Sequence, residues 1–114
     1  MRVLICGGRN YSNRAALYVA LDRLHSEYCF DTVIAGGARG GDTLAVEWAR
    51  ARGIAARVFM AQWDSLGLRG KAGPTRNQRM LDEGRPDLVI AFSGGGTADM
   101  FKKATAAGVW VLRR

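Results

Sequence analysis

Apolar residues in this chain fall into short unbroken runs that alternate with stretches of helical spacing. Val3-Leu4-Ile5-Cys6 is one such run, the pattern of a strand buried on both faces. After Gly7-Gly8-Arg9-Asn10-Tyr11, Ser12 stands where a helix N-cap belongs. Leu17, Leu21, Leu24 and Tyr28, with Ala20 beside them, then mark one buried helical face as far as about Tyr28. Residues 31–35 predict a second strand. Asp42 suits the cap of a second helix through Arg52, which Gly53 stops, with Leu44, Ala45, Trp48 and Ala49 on its inner face. Residues 55–60 make a third strand, at a sheet edge because Arg57 interrupts the apolar run. A long irregular connection, 61–73, holds Gly67, Gly70, Gly73 and Trp63, and loops of this length in small domains are often binding loops. Pro74 fits the first position of a third helix that carries Arg76, Asn77, Arg79 and Met80 and ends at Gly84. Residues 87–92 form a fourth strand, Thr97 to about Ala107 a fourth helix stopped by Gly108, and 109–112 a fifth strand.

Strict alternation of strand and helix predicts an α/β fold: a parallel five-stranded sheet with helices on both faces. Right-handed crossovers and the order 3-2-1-4-5 set strands one and four side by side, where the connections diverge and ligands bind. At 114 residues the chain has room for a single domain, 1–114. Three of its strand ends are rich in glycine: Gly7-Gly8-Arg9, Gly36-Gly37-Ala38-Arg39-Gly40-Gly41-Asp42 and Gly94-Gly95-Gly96-Thr97. Nine of the 15 glycines sit in these places. The predicted strand order brings all three turns to one crevice. Backbone amides at the positive end of a helix hold an anion there, most often a phosphate.

The side chains around that crevice allow several roles. Arg9 is placed to reach a phosphate or an acidic partner, or is a solvated loop arginine, and Arg39 lies between the two glycine pairs of its turn, within reach of a phosphate. Asp42 is a helix cap or a ligand contact. Arg76 and Arg79 lie three residues apart on one face, in early turns where cations oppose the helix dipole, so an anion is expected nearby. Asn77 adds a donor. Asp99, early in the fourth helix, is either favoured by the dipole alone or set close to a bound sugar and paired with Arg76. Thr97 caps its helix in either case. Trp63 stacks on a base or anchors its loop, and His25, on the first helix, reads as a surface residue. Cys6 and Ser93 have no histidine near them to make a nucleophile. No cluster has metal-ligand spacing and no P-loop is present, so neither a metal nor a cofactor is expected.

Composition changes this picture in three ways. Seventeen basic against ten acidic residues leave a net charge of +7, spread without a tail. Such a field attracts phosphate on a nucleotide or on a nucleic acid, or serves solubility alone. Nucleic acid ranks second as a partner, because the aromatics are not interleaved with the basic residues. No apolar run approaches the ~20 residues of a membrane span. Two cysteines without a framework predict a cytoplasmic protein with reduced thiols.

Taken together, Gly7-Gly8-Arg9, the 36–42 turn, Gly73-Pro74-Thr75-Arg76-Asn77-Gln78-Arg79-Met80 and Gly94-Gly95-Gly96-Thr97-Ala98-Asp99-Met100 resemble the SLOG superfamily. This Rossmann-like group of three-layer sandwiches includes the LOG phosphoribohydrolases and the DNA-processing protein DprA. The chain looks most like its small YspA-type branch. The resemblance implies a site for nucleotides or nucleotide-derived molecules, such as a nucleoside monophosphate or an ADP-ribose-like ligand, and a homodimer. In LOG enzymes a Pro-Gly-Gly-x-Gly-Thr-x-Glu-Glu motif and an upstream arginine cleave an N-glycosidic bond. Arg76 matches that arginine and Asp99 the first glutamate, as the catalytic pair. Ser93 replaces the proline, the glycine turn is one residue shorter, and Met100 stands in place of the second glutamate. These departures bear on turnover more than on binding. The alternative carried by the same resemblance is a DprA-like nucleic-acid-binding protein without enzymatic activity.

Overall fold

Val3, Leu4, Ile5, Val33, Ile34, Leu88, Val89 and Ile90 are wholly buried, as unbroken apolar runs require of strands covered on both faces. The computed structural model describes residues 1–37, 39–60, 72–93 and 97–114. Within them strand and helix alternate throughout: β1 (Arg2–Cys6), α1 (Arg14–Tyr28), β2 (Thr32–Gly36), α2 (Gly41–Ala51), β3 (Ala55–Phe59), α3 (Ala72–Gly84), β4 (Leu88–Ala91), α4 (Thr97–Ala106) and β5 (Trp110–Arg113). The sheet order is β3-β2-β1-β4-β5, every pair parallel, so this is a Rossmann-like α/β sandwich. The two outer strands are the exposed ones. The first four residues of β3 and both ends of β5 face solvent.

Alternate side chains of the sheet feed two cores. On one face Val3, Ile5, Val33, Leu88 and Ile90 pack against Leu17, Leu21 and Leu24 of α1 and Leu44, Ala45 and Trp48 of α2. On the other, Leu4, Ile34 and Val89 meet Met80 and Leu81 of α3 and Met100 and Ala104 of α4. The helices of the first face are clamped by a polar cluster at its rim. Asp22 accepts the indole N–H of the buried Trp48 at 2.8 Å and both arms of Arg52 at 2.8 Å. The Arg52 guanidinium chiefly, with the Trp48 indole behind it, pulls the Asp22 carboxyl down to about 2 against the partial burial that would raise it.

Helix starts depart from the expected positions. The cap of α1 is Asn13, whose side-chain oxygen accepts the Ala16 N–H at 3.1 Å, so Ser12 lies one residue outside. Helix α3 begins at Ala72, two residues before Pro74. His25 is not a free surface residue. Its Nδ1 accepts the Phe30 N–H at 2.9 Å and its ring lies 5.7 Å from Phe30 and 5.8 Å from Trp48, because the chain folds back through Cys29 at φ 54°. Among the described residues no helix is long and apolar enough to cross a membrane.

Candidate functional site

At the carboxyl end of the sheet the turns after β1, β2 and β4 are tied together through main-chain atoms. The β1–β4 pairing continues one step past the strands, with the Phe92 N–H donating to the Cys6 carbonyl at 2.8 Å. The Gly8 N–H then donates to the Ser93 carbonyl at 3.1 Å. The Gly8 carbonyl accepts the N–H groups of Gly41 and Tyr11, both at 3.1 Å. Glycine is needed here for close approach. A Cβ on Gly41 would lie 2.6 Å from the Gly7 Cα, and one on Gly40 would lie 2.3 Å from the Gly8 carbonyl oxygen and 2.5 Å from that of Arg9. Gly40 also sits at φ +86°, which L side chains rarely adopt.

This joint corrects the expected role of Asp42. Gly40 is the residue at the helix cap, with no side-chain cap hydrogen bond, and Asp42 lies inside the first turn of α2. The close approach of Gly8 and Arg9 leaves no room for a capping side chain at position 40. Asp42 is instead buried, one of two such polar residues beside Asn77 among those described. Its carboxylate turns toward the end of β2. A Cβ on Gly36 would fall 2.8 Å from Asp42 Oδ2 and 2.4 Å from Arg76 Nη1, so carboxylate and guanidinium both crowd that glycine.

From Arg76 a polar chain runs across α3 to α4. Arg76 Nε donates to Asn77 Oδ1 at 3.1 Å, and Asn77 Nδ2 donates to Asp99 Oδ2 at 2.9 Å. The other Asp99 oxygen accepts a short hydrogen bond from Lys103. Arg76 therefore reaches Asp99 through the Asn77 amide and not by direct pairing. Partial burial raises the Asp99 pKa, but the hydrogen bonds from Lys103 and Asn77 and the charges of Lys103 and Lys102 outweigh it. The carboxyl is held below its usual range. Cys6, at the end of β1, behaves in the opposite way. Burial, reinforced by the Asp42 charge and opposed by Arg76, pushes its thiol up to about 12. That leaves it protonated and inert as a nucleophile.

Of the residues expected at the site, the structure brings Gly7, Gly8, Gly36, Gly40, Asp42, Arg76 and Asn77 together, with Asp99 and Thr97 in the first turn of α4. Gly37 packs beside Met60, whose Sδ a Cβ there would meet at 1.9 Å. Arg9 and Arg39 are exposed on the turns after β1 and β2. Arg79 turns elsewhere. Its Nε donates to Glu83 at 2.9 Å and its guanidinium lies 5.4 Å from the Phe59 ring, because a carboxylate one helical turn on and an aromatic from β3 capture it. Gly94, Gly95, Gly96 and Trp63 lie outside the described residues. Lys103 was not among the expected residues. Its spacing of four from Asp99 is the helical acid-to-lysine signal that marks such a pair.

This geometry has counterparts among known proteins. A model of the YspA, cpYpsA-related SLOG family (YAcAr) matches residues 1–65, which takes in the joint between the first two turns. Arg76 and Asp99 lie beyond that match. The Gene 61 protein of Mycobacterium phage D29 is 37% identical over 120 residues, covering 97% of this chain and 94% of that protein. Among solved structures, UDP-GlcNAc 2-epimerase from Neisseria meningitidis bound to UDP-GlcNAc aligns over 99% of the chain with a TM-score of 0.58. At 17% identity that likeness is one of fold, and this chain spans about a third (32%) of the epimerase chain.

Proposed function

The chain belongs to the YspA, cpYpsA-related SLOG family, and on that premise we propose that it binds a nucleotide or nucleotide-derived ligand at the carboxyl end of the sheet. The observation that carries this reading is the meeting of Arg76 with the buried Asp42 and Asn77 beside the joined strand-end turns. A half-buried guanidinium held by its neighbours is a preformed phosphate contact. The positive end of α4, which begins at Thr97, adds to the attraction.

N-glycosidic cleavage is a second reading, favoured by the state of Asp99. A carboxylate kept ionised by Lys103 and Asn77 suits the stabilisation of a sugar cation, not proton donation. In that step water adds to the anomeric carbon of a nucleoside monophosphate, and the base leaves carrying a proton from the water.

Thermal unfolding of the chain with nucleoside monophosphates and with ADP-ribose tests binding. A ligand at about 100 times its Kd stabilises by about 2.7 kcal/mol and raises Tm, and Arg76→Ala is expected to abolish the rise. No rise with any nucleotide would sink the proposal. Single-stranded DNA binding that falls steeply with salt, in the absence of nucleotide binding, would move the reading to nucleic acid. Chromatographic detection of free base, lost in Asp99→Asn, distinguishes turnover from binding alone.

A further inference from the structure

Asn77 is a polar residue on a buried stripe. Met80 and Leu81, three and four positions on, enter the core on the α3 and α4 face of the sheet. Asn77 shares their side of α3 and is only 5% exposed. A leucine would suit the pattern at this position. An amide is tolerated there only if its polar atoms find partners, because a buried amide left alone is costly.

Both partners of the amide are charged, and both lie nearer to solvent than the amide itself. Asn77 Oδ1 accepts from Arg76 Nε at 3.1 Å, and Asn77 Nδ2 donates to Asp99 Oδ2 at 2.9 Å. Arg76 is half-buried and the Asp99 side chain is 34% exposed. A guanidinium only donates and a carboxylate only accepts, so a single orientation of the amide satisfies both. A buried bridge thus holds two accessible charges of opposite sign no more than about 8 Å apart, comparable with the reach of a ribose and its 5′-phosphate. The bridge does not use the Arg76 Nη groups. Each Asp99 oxygen takes one hydrogen bond, from Asn77 or from Lys103, and has capacity to accept another.

We propose that Asn77 is a positioning residue of the ligand site, holding Asp99 to accept the ribose hydroxyls of a nucleotide whose phosphate is bound at Arg76. The inference rests on the nucleotide reading above and deepens it. Without the amide, Asp99 keeps only Lys103, a flexible side chain of its own helix that does nothing to fix its distance from Arg76. Selectivity for the sugar therefore depends on a residue that does not touch it.

Calorimetric titration of the full chain with AMP and with 2′,3′-dideoxy-AMP tests this role, because the ratio of the two affinities cancels any general loss of folded protein. The wild type is expected to bind AMP about tenfold more tightly, the effect of hydroxyl hydrogen bonds to a partly exposed carboxylate. Asn77→Asp keeps the size of the side chain and an acceptor for Arg76 but removes the donor to Asp99. Its preference for AMP is expected to fall to within about twofold. Should that variant fail to fold, Asn77→Leu carries the same expectation. Asp99→Asn is expected to lose the preference to the same extent. A preference that survives the substitution of either residue would overturn the positioning role. Equal affinities in the wild type would also overturn it, and would leave the nucleotide reading standing. If neither nucleotide binds the wild type, the nucleotide reading falls and this inference with it.

Discussion

The two sides of the crevice are built by opposite means. On the α2 side, Gly7, Gly8, Gly40 and Gly41 let main chain press on main chain, and the hydrogen bonds that close the joint run between backbone groups. On the other side, Arg76 and Asn77 of α3 and Asp99 and Lys103 of α4 are linked through charged and amide side chains, with Asp42 reaching in from α2. The first kind of wall depends on atoms being absent and has no charge to titrate. The second depends on every member keeping its partner, because a buried polar group left alone is costly. A shape that must not change and a charge pattern that can respond to a ligand thus lie side by side, joined by Asp42, which the first turn of α2 sends to the charged wall.

The sharpest way to break this division is to add one methyl group to the first wall. Gly41→Ala would ordinarily favour a helix, yet its Cβ would lie 2.6 Å from the Gly7 Cα with backbone on both sides. Urea unfolding is expected to show a loss of about 2–4 kcal/mol or a failure to fold. Gly53→Ala makes the contrast. At φ +70° with nothing within 4 Å, it meets only the left-handed backbone penalty, about 1 kcal/mol. Equal losses in the two variants would show that close approach does not govern the joint.

A smaller effect is expected on the second wall. Asn77→Leu keeps much of the volume but strands the Arg76 Nε donor and one Asp99 oxygen, at a cost of roughly 1–3 kcal/mol by the same measurement. The smallest effect separates the walls by pH. Asp99 has its folded-state pKa held below the ordinary carboxylate range, so its stabilisation is complete above that range and is lost as pH falls through the lower folded-state value. The stability difference between wild type and Asp99→Asn should close on acidification, whereas the Gly41→Ala deficit should not change. A gap that persists in acid would mean that the Asp99 charge contributes nothing.

Much of the architecture was legible from pattern. Unbroken apolar runs at 3–6 and 88–91, helical spacing at Leu17, Leu21 and Leu24, and strict alternation led to the parallel order observed. The misplacements were local. Asn13 and Ser12 can both cap α1, and only the path of the incoming chain selects between them. Glycine content marked the turns after β1 and β2 that press together, but Asp42 looked like a cap because the steric demand at Gly40 comes from Gly8 and Arg9, more than thirty residues away.

What the sequence determined by itself was periodicity and backbone permissiveness: which segments bury one face or two, and where the chain has no side chain. Both are local properties, set by the residue and its near neighbours. What only the tertiary structure decided was pairing. Arg79 went to Glu83 and Phe59 while Arg76 went to Gly36 and Asp42, although both arginines lie on the same short helix. Lys103 joined Asp99, and burial drove the Cys6 thiol up to about 12 with the Asp42 charge behind it. Charge and hydrogen bonding act through space over a few ångströms, so their outcome depends on which distant segments the folded sheet has brought within reach.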